Sequence, residues 1–237
     1  LVQCITAANP NTVVLLNAGG NVDMSKWIDK VPSLLHLWYA GQEGGTAVAE
    51  ILFGKVNPSG KLPISFEKKW EDNPAYPYYY DVDGDKRVEY KEGLFMGYRH
   101  YDVSETKPQF AFGYGMSYTT FKYSDLRIDR EKGRDLVVKI RFTVKNTGKH
   151  DGAETAQVYI RPINPKVERP YKELKGFAKH FIRKNTVQEI EITLDKDAFS
   201  YYKTELKDFD YDVGSYEVLV GSASDDIRLR KVIQIEK

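Results

Sequence analysis

The 237-residue sequence contains a single cysteine, Cys4, and four histidines, and this scarcity restricts the chemistry it can support. One cysteine forms neither a disulfide within the chain nor a cysteine-based metal site. His36, His100, His150 and His180 are far apart and follow none of the H-x-x-x-H or H-E-x-x-H spacings of zinc sites. We therefore expect no metal and no cofactor.

The sequence also lacks long apolar runs and an excess of charge of either sign. No stretch approaches the ~18 uninterrupted apolar residues of a membrane-spanning helix, so no membrane partner is expected. With 35 basic and 34 acidic residues the net charge is +1, which indicates neither nucleic acid nor an acidic surface as a partner. The 41% hydrophobic and 13% aromatic content argues against disorder. The length suits two domains of roughly 100–150 residues each.

The N-terminal residues 1–8 resemble the last two turns of an amphipathic helix, which Asn9-Pro10 ends. The sequence shows no initiator methionine, no basic n-region and no cleavage signature. We therefore expect it to be a piece of a longer protein.

Residues 1–70 alternate short apolar runs with helical patterns, which predicts part of a parallel α/β domain. Pro63 places the last predicted strand at an edge or at a strand end. The predicted elements, in chain order, are strand 12–17, helix 23–30, strand 34–39, helix 46–53 and strand 61–66.

Residues 71–120 show no clear period and are predicted to form a long irregular connection that packs on both flanking domains. Without such packing, its aromatic residues would expose a large apolar patch. The glycines Gly113 and Gly115 permit a tight chain reversal at its end. Its aromatic residues include Tyr76, Tyr78, Tyr79, Tyr80, Tyr90, Phe95, Tyr98 and Tyr101.

From about residue 121 the pattern changes to the period of two that is typical of half-buried strands. Seven or so such strands in about 115 residues indicate an antiparallel sandwich of immunoglobulin type over 121–237. Turn signals such as 146–148 (NTG) separate the strands. The apolar sets are Val138, Ile140, Phe142 and Val144; Ala156, Val158 and Ile160; Ile190, Ile192 and Leu194; and Tyr216, Val218 and Val220.

Two motifs could bind ions. Residues 41–45 (GQEGG) precede a predicted helix and could place backbone N–H groups at its positive end, but the spacing is that of neither a P-loop nor a dinucleotide fingerprint. We favour close helix–strand packing as the reason for these glycines. Asp81, Asp83 and Asp85 resemble the start of a calcium loop, with Glu92 twelfth but Gly84 fourth rather than sixth. A solvated acidic turn is the favoured interpretation.

No complete catalytic constellation is visible from the residues alone. Glu92, Tyr98 and Arg99 could form a polar cluster beneath a sugar, but an arginine–carboxylate pair that locks the long connection is the favoured alternative. His36 lies in a predicted buried strand and is expected to be a core histidine. No G-x-S-x-G motif is present.

Taken together, these segments resemble the C-terminal part of a glycoside hydrolase family 3 enzyme, the β-glucosidase and β-xylosidase family. Order and spacing agree from end to end, so the resemblance covers essentially the whole chain. The stretches that carry it are 8–14 (ANPNTVV), 38–45 (WYAGQEGG), 52–63 (LFGKVNPSGKLP), 90–99 (YKEGLFMGYR), 112–121 (FGYGMSYTTF), 146–148 (NTG), 169–170 (RP) and 173–177 (ELKGF).

The resemblance implies a (β/α)8 barrel, then an α/β sandwich domain, then a fibronectin type III-like sandwich. Residues 1–70 would be the C-terminal part of the α/β domain, 71–120 the connection, and 121–237 the fibronectin type III-like domain. In this family the nucleophilic aspartate lies on the barrel and the acid/base glutamate lies before the Asn-Pro-Asn-Thr segment. No residue here matches either position. Neither Glu43 nor Glu92 is assigned to the role, and no catalytic, substrate-binding or metal-binding residue is assigned.

The resemblance further implies a parent enzyme that removes terminal β-linked glucose or xylose from oligosaccharides, with the missing barrel and a glycoside substrate as partners. Retaining hydrolysis needs two carboxyl groups ~5–5.5 Å apart across one bond, so the chain alone is expected to be inactive. A periplasmic or secreted location is expected rather than a cytoplasmic one.

Two other functions remain open at this point. A stand-alone carbohydrate-binding or adhesion module would expose ring-stacking residues such as Tyr78 or Tyr79. A purely structural two-domain module would bind nothing. The glycosidase hypothesis instead predicts an apolar surface on residues 1–117, where the barrel would dock.

Overall fold

The α/β part of the chain contains two short parallel strands in the computed structural model, which describes residues 1–131 and 136–236. The strands pair in parallel from Val13↔Ser33 to Leu16↔His36. This arrangement confirms the predicted parallel sheet, although the predicted helix 23–30 is reduced to a 3-10 turn at Ile28–Lys30. The two strands are β1 (Val13–Leu16) and β2 (Ser33–His36), and the helices of this part are α1 (Val2–Ala8) and α2 (Gly44–Leu52).

The prediction of a third parallel strand over 61–66 is wrong. This segment runs antiparallel to the end of the connection: the Leu62 N–H donates to the Tyr114 carbonyl (2.8 Å), and the Phe66 N–H donates to the Phe110 carbonyl (2.8 Å). Pro63 between them has no N–H to donate, which prevents a continuous ladder, and the pairing amounts to an isolated bridge. The parallel sheet therefore has two strands within the described residues.

The connection contains little regular structure. Its regular structure in the described chain consists of a 3-10 turn at Trp70–Asp72 and two single-turn helices, α3 (Tyr76–Tyr79) and α4 (Tyr98–Tyr101). Gly113, with a φ of +82°, makes the predicted chain reversal possible: it lies in the turn in which the Tyr114 N–H donates to the Ala111 carbonyl (3.1 Å). Gly115 instead permits a close approach, since a Cβ atom there would collide with the Gly60 carbonyl oxygen.

The C-terminal part forms the predicted sandwich of two antiparallel sheets. One sheet has the order β11-β10-β5-β6 and the other β3-β4-β7, while β8 and β9 form a separate hairpin. The three-part division of the chain at residues 70 and 120 stays a prediction. The strands are β3 (Phe121–Arg130), β4 (Val138–Asn146), β5 (Gly152–Pro162), β6 (Glu173–Ile182), β7 (Val187–Leu194), β8 (Tyr201–Lys203), β9 (Asp208–Asp210), β10 (Gly214–Ala223) and β11 (Asp226–Ile235).

The core of the molecule lies between these two sheets. All four predicted apolar sets are buried there, and Ile140, Val158 and Ile190 have no measurable exposure. The faces are set by strand alternation, which sends successive side chains to opposite sides of a sheet. The α/β part has little core of its own: among the described residues before 119, the buried apolar side chains are Met24, Phe66, Tyr101 and Ala111.

A fully buried asparagine holds one end of the sandwich together. Asn146 Oδ1 accepts hydrogen bonds from the Thr119 hydroxyl (2.6 Å) and the Gly148 N–H (3.1 Å). Its Nδ2 donates to the carbonyls of His150 (2.8 Å) and Ile182 (2.9 Å). Every polar atom of the carboxamide is thus paired in a site without water access, where an unpaired group is costly.

We expect Asn146→Asp to lower the free energy of unfolding by about 3 kcal/mol. The substitution replaces the buried NH2 group, which donates to two carbonyls, by a carboxylate oxygen that those carbonyl oxygens would repel. Chemical denaturation at pH 7 measures the change. Lys149→Ala, an exposed substitution in the same turn, should leave stability unchanged. Equal stability of the Asn146→Asp variant and the wild type would contradict this account of the buried asparagine.

Candidate functional site

Helix α4 of the connection is fixed to the start of β6 in the sandwich. The Arg99 guanidinium pairs with the Glu173 carboxylate at 3.3 Å, and the Tyr98 hydroxyl oxygen accepts a hydrogen bond from the Leu174 N–H at 2.9 Å. The Tyr98 ring also packs against Phe112 and Tyr159, at centroid distances of 5.1 and 5.8 Å. These contacts confirm that Arg99 forms an arginine–carboxylate pair that locks the connection.

Glu173 is the centre of a cluster of three cations. Besides Arg99, it pairs with Arg169 at 2.6 Å and lies 3.6 Å from the Lys175 ammonium. Burial alone would raise the pKa of Glu173, but the hydrogen bond from Arg169 and the charges of Lys175 and Arg99 bring it below its ordinary value. The carboxylate therefore stays ionised and is committed to structural pairing.

A second ion pair, between Asp102 and Lys172, is buried between the connection and the sandwich. The two side chains are 12% and 4% exposed. Burial raises the pKa of Asp102 and lowers the pKa of Lys172, in each case against the opposing effect of the partner. Desolvation thus outweighs the mutual attraction of the two charges. The Lys172 ammonium lies near the rings of Tyr159 and Tyr171, at 5.6 Å from each centroid.

Next to this locked interface lies an open cleft of about 1080 Å³. One wall is the loop from Lys166 to Pro170, the opposite wall is the β8–β9 hairpin, and Leu94 and Arg99 of the connection complete the rim. The cleft combines exposed rings of the hairpin with both cationic and anionic side chains.

The α/β part leaves apolar side chains uncovered. Val13 and Leu15 on one face of β1 are 44% and 43% exposed, and Phe53 at the end of α2 is 90% exposed. Parallel strands are normally covered on both faces, so this surface is typical of one that another element covers. The apolar surface expected on residues 1–117 is therefore present.

The glycines of 41–45 shape a turn. Gly41 has a φ of +68°, which favours glycine, and a Cβ atom on Gly44 would lie 2.7 Å from the Ala40 Cβ. No side chain caps the N-terminus of α2. The close contact is with the preceding turn rather than with a strand, so helix–strand packing is not the reason for these glycines.

The aspartates around Gly84 form a solvated acidic turn, as favoured from the sequence. Asp81 accepts the N–H groups of Gly84 (2.8 Å) and Lys86 (3.0 Å), and Asp83 accepts the N–H of Asp85 (3.3 Å). Their carboxylate oxygens lie within 4.8 Å of those of Asp85, which would suit a cation geometrically, but all three residues are exposed. The turn's own backbone accounts for the cluster.

His36 serves packing. Its ring stacks on Trp38 at a centroid distance of 4.2 Å and meets the edge of Phe66 at 5.4 Å. Its Nδ1 accepts the Trp38 N–H at 3.1 Å, and burial lowers the pKa of the imidazole. His36 is half-buried and its Nε2 has no hydrogen-bond partner in the described part of the chain, so the expectation of a satisfied core histidine is not confirmed.

The other candidates lie at separate places. Tyr79 is 58% exposed and Tyr78 is half-buried, so an exposed ring is present where the binding-module hypothesis requires one. Cys4 is exposed. Glu92 is half-buried and is not the partner that Arg99 uses.

Sequence reasoning missed the residues that face Arg99 and Asp102. Lys172 and Glu173 stand at least 70 positions further along the chain than their partners, and the motifs that contain Arg169 and Glu173 indicate the family rather than the pairing. The available signal was the run of charged residues at 166–175 beside the predicted start of a strand, where apolar residues would be usual.

We expect either Asp102→Asn or Lys172→Met to lower the free energy of unfolding by about 3 kcal/mol, because each leaves one buried charge without its partner. The double variant should return to within about 1 kcal/mol of the wild type, since it removes both desolvation costs. A urea-denaturation cycle over the four proteins measures the coupling. Glu89→Gln, in an exposed pair with Lys91, is the control and should leave stability unchanged. Strictly additive losses would contradict a coupled buried pair.

Two family profiles match the chain. The profile described as the glycosyl hydrolase family 3 C-terminal domain matches residues 1–118, and that of the fibronectin type III-like domain matches 154–224. Among the described residues, no helix combines the length and apolar character needed to cross a lipid bilayer.

Curated relatives align along the entire chain. The thermostable beta-glucosidase B of Acetivibrio thermocellus is 43% identical over 236 residues, which are 99% of this chain and 31% of that protein. The beta-glucosidase of Kluyveromyces marxianus is 42% identical over 241 residues, which cover 100% of this chain and 28% of that protein. The chain therefore spans about a third of the length of these relatives.

Solved structures show the same fold. The beta-glucosidase from Kluyveromyces marxianus in complex with glucose superposes with a TM-score of 0.92 at 42% identity, over 100% of this chain and 28% of that chain. Beta-glucosidase 3B from Thermotoga neapolitana in complex with glucose gives 0.90 at 33% identity, over 100% of this chain and 33% of that chain. The α/β part followed by a β-sandwich is confirmed as the fold class, and the chain belongs to glycoside hydrolase family 3, of which it forms the C-terminal portion.

Proposed function

We propose that this chain is the C-terminal scaffold of a retaining β-glycosidase that hydrolyses terminal β-linked glucose or xylose from oligosaccharides, with both catalytic carboxylates outside these 237 residues. The observation that carries the proposal is the uncovered apolar face of β1, in a chain that spans about a third of its relatives named beta-glucosidase. The occupant of that face would be the rest of the α/β domain and a (β/α)8 barrel of the same protein.

The described carboxylates at the interface between the two parts support a scaffold role. Glu173 and Asp102 are engaged in the ion pairs with Arg99, Arg169 and Lys172. A catalytic pair must instead face one glycosidic bond across ~5–5.5 Å, with one carboxyl as nucleophile and the other as acid and then base. Glu173 is held ionised by its cations and Asp102 is buried against Lys172, so neither carboxylate is free to approach a glycosidic bond.

The sandwich would position the α/β part. Its large core lies between its own two sheets, whereas residues 1–118 have few buried apolar side chains. Helix α4 fixes the connection to the sandwich through Tyr98. Residues 57–61 contact the sandwich directly, since Asn57 donates to the Asp151 carbonyl (2.8 Å) and Lys61 lies 3.6 Å from Glu154. The barrel would then dock on an apolar surface of the α/β part whose position is already fixed by the sandwich.

The exposed ring of Tyr79 favours a second candidate, a stand-alone carbohydrate-binding module. That ring, however, already meets Trp70 and Tyr80 edge-on, at 5.1 Å each, so part of its surface serves local packing. Glycan binding by the chain without any barrel, abolished by Tyr79→Ala, would favour this candidate over the scaffold.

We expect the purified chain to release no product from an aryl β-glucoside, because the two carboxyl groups that retaining hydrolysis needs are absent from it. Turnover by the pure chain that a single Asp or Glu substitution within it abolishes would overturn the scaffold proposal.

Co-expression of the chain with the N-terminal region of the Acetivibrio thermocellus relative should restore activity by covering the apolar face. Leu15→Lys should reduce the recovered complex by about tenfold or more, since it would bury an unpaired charge. Val232→Lys, on the sandwich and 53% exposed, is the matched control and should assemble like the wild type. Equal recovery of the two variants would contradict docking on β1.

A further inference from the structure

We propose that the cleft between the loop 166–170 and the β8–β9 hairpin is a binding site for a neutral oligosaccharide. This site goes beyond the proposed scaffold function and does not depend on it. Its volume of about 1080 Å³ lies just above the ~300–1,000 Å³ typical of ligand sites, which suits several sugar rings rather than one.

The hairpin wall presents an aromatic pair. Tyr202 and Phe209 are directly opposite each other across β8 and β9, with ring centroids 5.5 Å apart and planes at 73°. The two rings are 51% and 61% exposed, on a hairpin with three residues in each strand. Exposed rings of this kind offer an apolar platform on which the C–H face of a pyranose can stack.

The floor of the cleft is preorganised. The Arg169 side chain is 5% exposed and is held by the Glu173 carboxylate (2.6 Å), the Phe199 carbonyl (3.1 Å) and the face of the Tyr201 ring (5.2 Å). These contacts make the floor rigid, so the cleft keeps its shape without first losing conformational entropy when a ligand binds.

The charge of the lining argues for a neutral ligand. The cations and carboxylates nearly balance, so the cleft has no field that would favour a polyanion or a polycation. Hydroxyl groups of a sugar both donate and accept, and therefore suit a lining that presents both types of group next to aromatic rings. The cationic residues are Lys166, Arg169, Lys175, Lys196, Lys203 and Arg99, and the acidic residues are Glu168, Glu173, Asp197, Glu205 and Asp208.

Isothermal titration calorimetry of the complete 237-residue chain tests the site with cellotetraose, xylotetraose and maltotetraose as probes. We expect at least one of them to bind, and Tyr202→Ala to weaken that binding by about tenfold or more through loss of the platform. Phe209→Leu keeps apolar bulk but removes the second ring, and should also weaken binding. Phe177→Ala removes a ring that is 68% exposed on β6 and does not line this cleft, and this variant should bind like the wild type.

Three outcomes would overturn the proposal. One is that no tetrasaccharide binds up to about 10 mM, the weak limit of useful affinity. Another is that inorganic phosphate or a heparin oligosaccharide binds while the neutral sugars do not. The third is that Tyr202→Ala and Phe209→Leu both bind like the wild type. Unchanged thermal unfolding of the variants, expected because both rings are exposed, shows that any loss of binding is local.

Discussion

The N-terminal half of this chain depends on its contacts with the sandwich, and the attachment of helix α4 to the start of β6 brings together the charged ones. Arg99 and Tyr98 reach Glu173 and Leu174, and the neighbouring Asp102 reaches Lys172. The sandwich has its own core, but the residues before it bury few apolar side chains among themselves. The positions of these N-terminal residues are therefore fixed by the sandwich, which holds them through charged and aromatic contacts.

This dependence explains why charges are buried where apolar packing would be simpler. A buried ion pair contributes little net stability, because desolvation offsets the attraction between its charges. It does, however, tolerate few alternative geometries, since a shift that separates the charges leaves both unpaired. In a long connection with little secondary structure, such ion pairs select one position of the backbone on the sandwich among many possible ones. A scaffold that must present a docking surface in a defined place requires this specificity more than it requires added stability.

Much of the fold could be predicted from the sequence because the sandwich strands follow a strict period of two. Val138, Ile140, Phe142 and Val144 are buried as their alternation indicates. The segment 61–66 has the composition of a strand, but Pro63 and the nearby glycines of the chain reversal direct it to the connection instead of to β2. The local sequence pattern identified 61–66 as extended. Its pairing partner could not be identified in this way, because it is set by contacts far along the chain, such as that of Leu62 with Tyr114.

The site was less predictable than the fold. The sequence indicated that Arg99 would find a carboxylate, but not that this would be Glu173, because the contact depends on how the connection lies on the sandwich. The aromatic pair of Tyr202 and Phe209 was also not predicted, since a three-residue strand carries too little pattern to show which face its rings occupy. Such contacts are properties of the tertiary structure and leave no periodic signal.

The central claim is that the chain acts as one part of a longer glycosidase, and the mass of the native protein in its source tests it most directly. An antibody against this 27.2 kDa chain should detect a band heavier by at least the roughly 28 kDa of a ~250-residue barrel. That band should migrate with β-glucosidase activity on a native gel. A band no heavier than the 27.2 kDa chain, carrying no activity, would contradict the account.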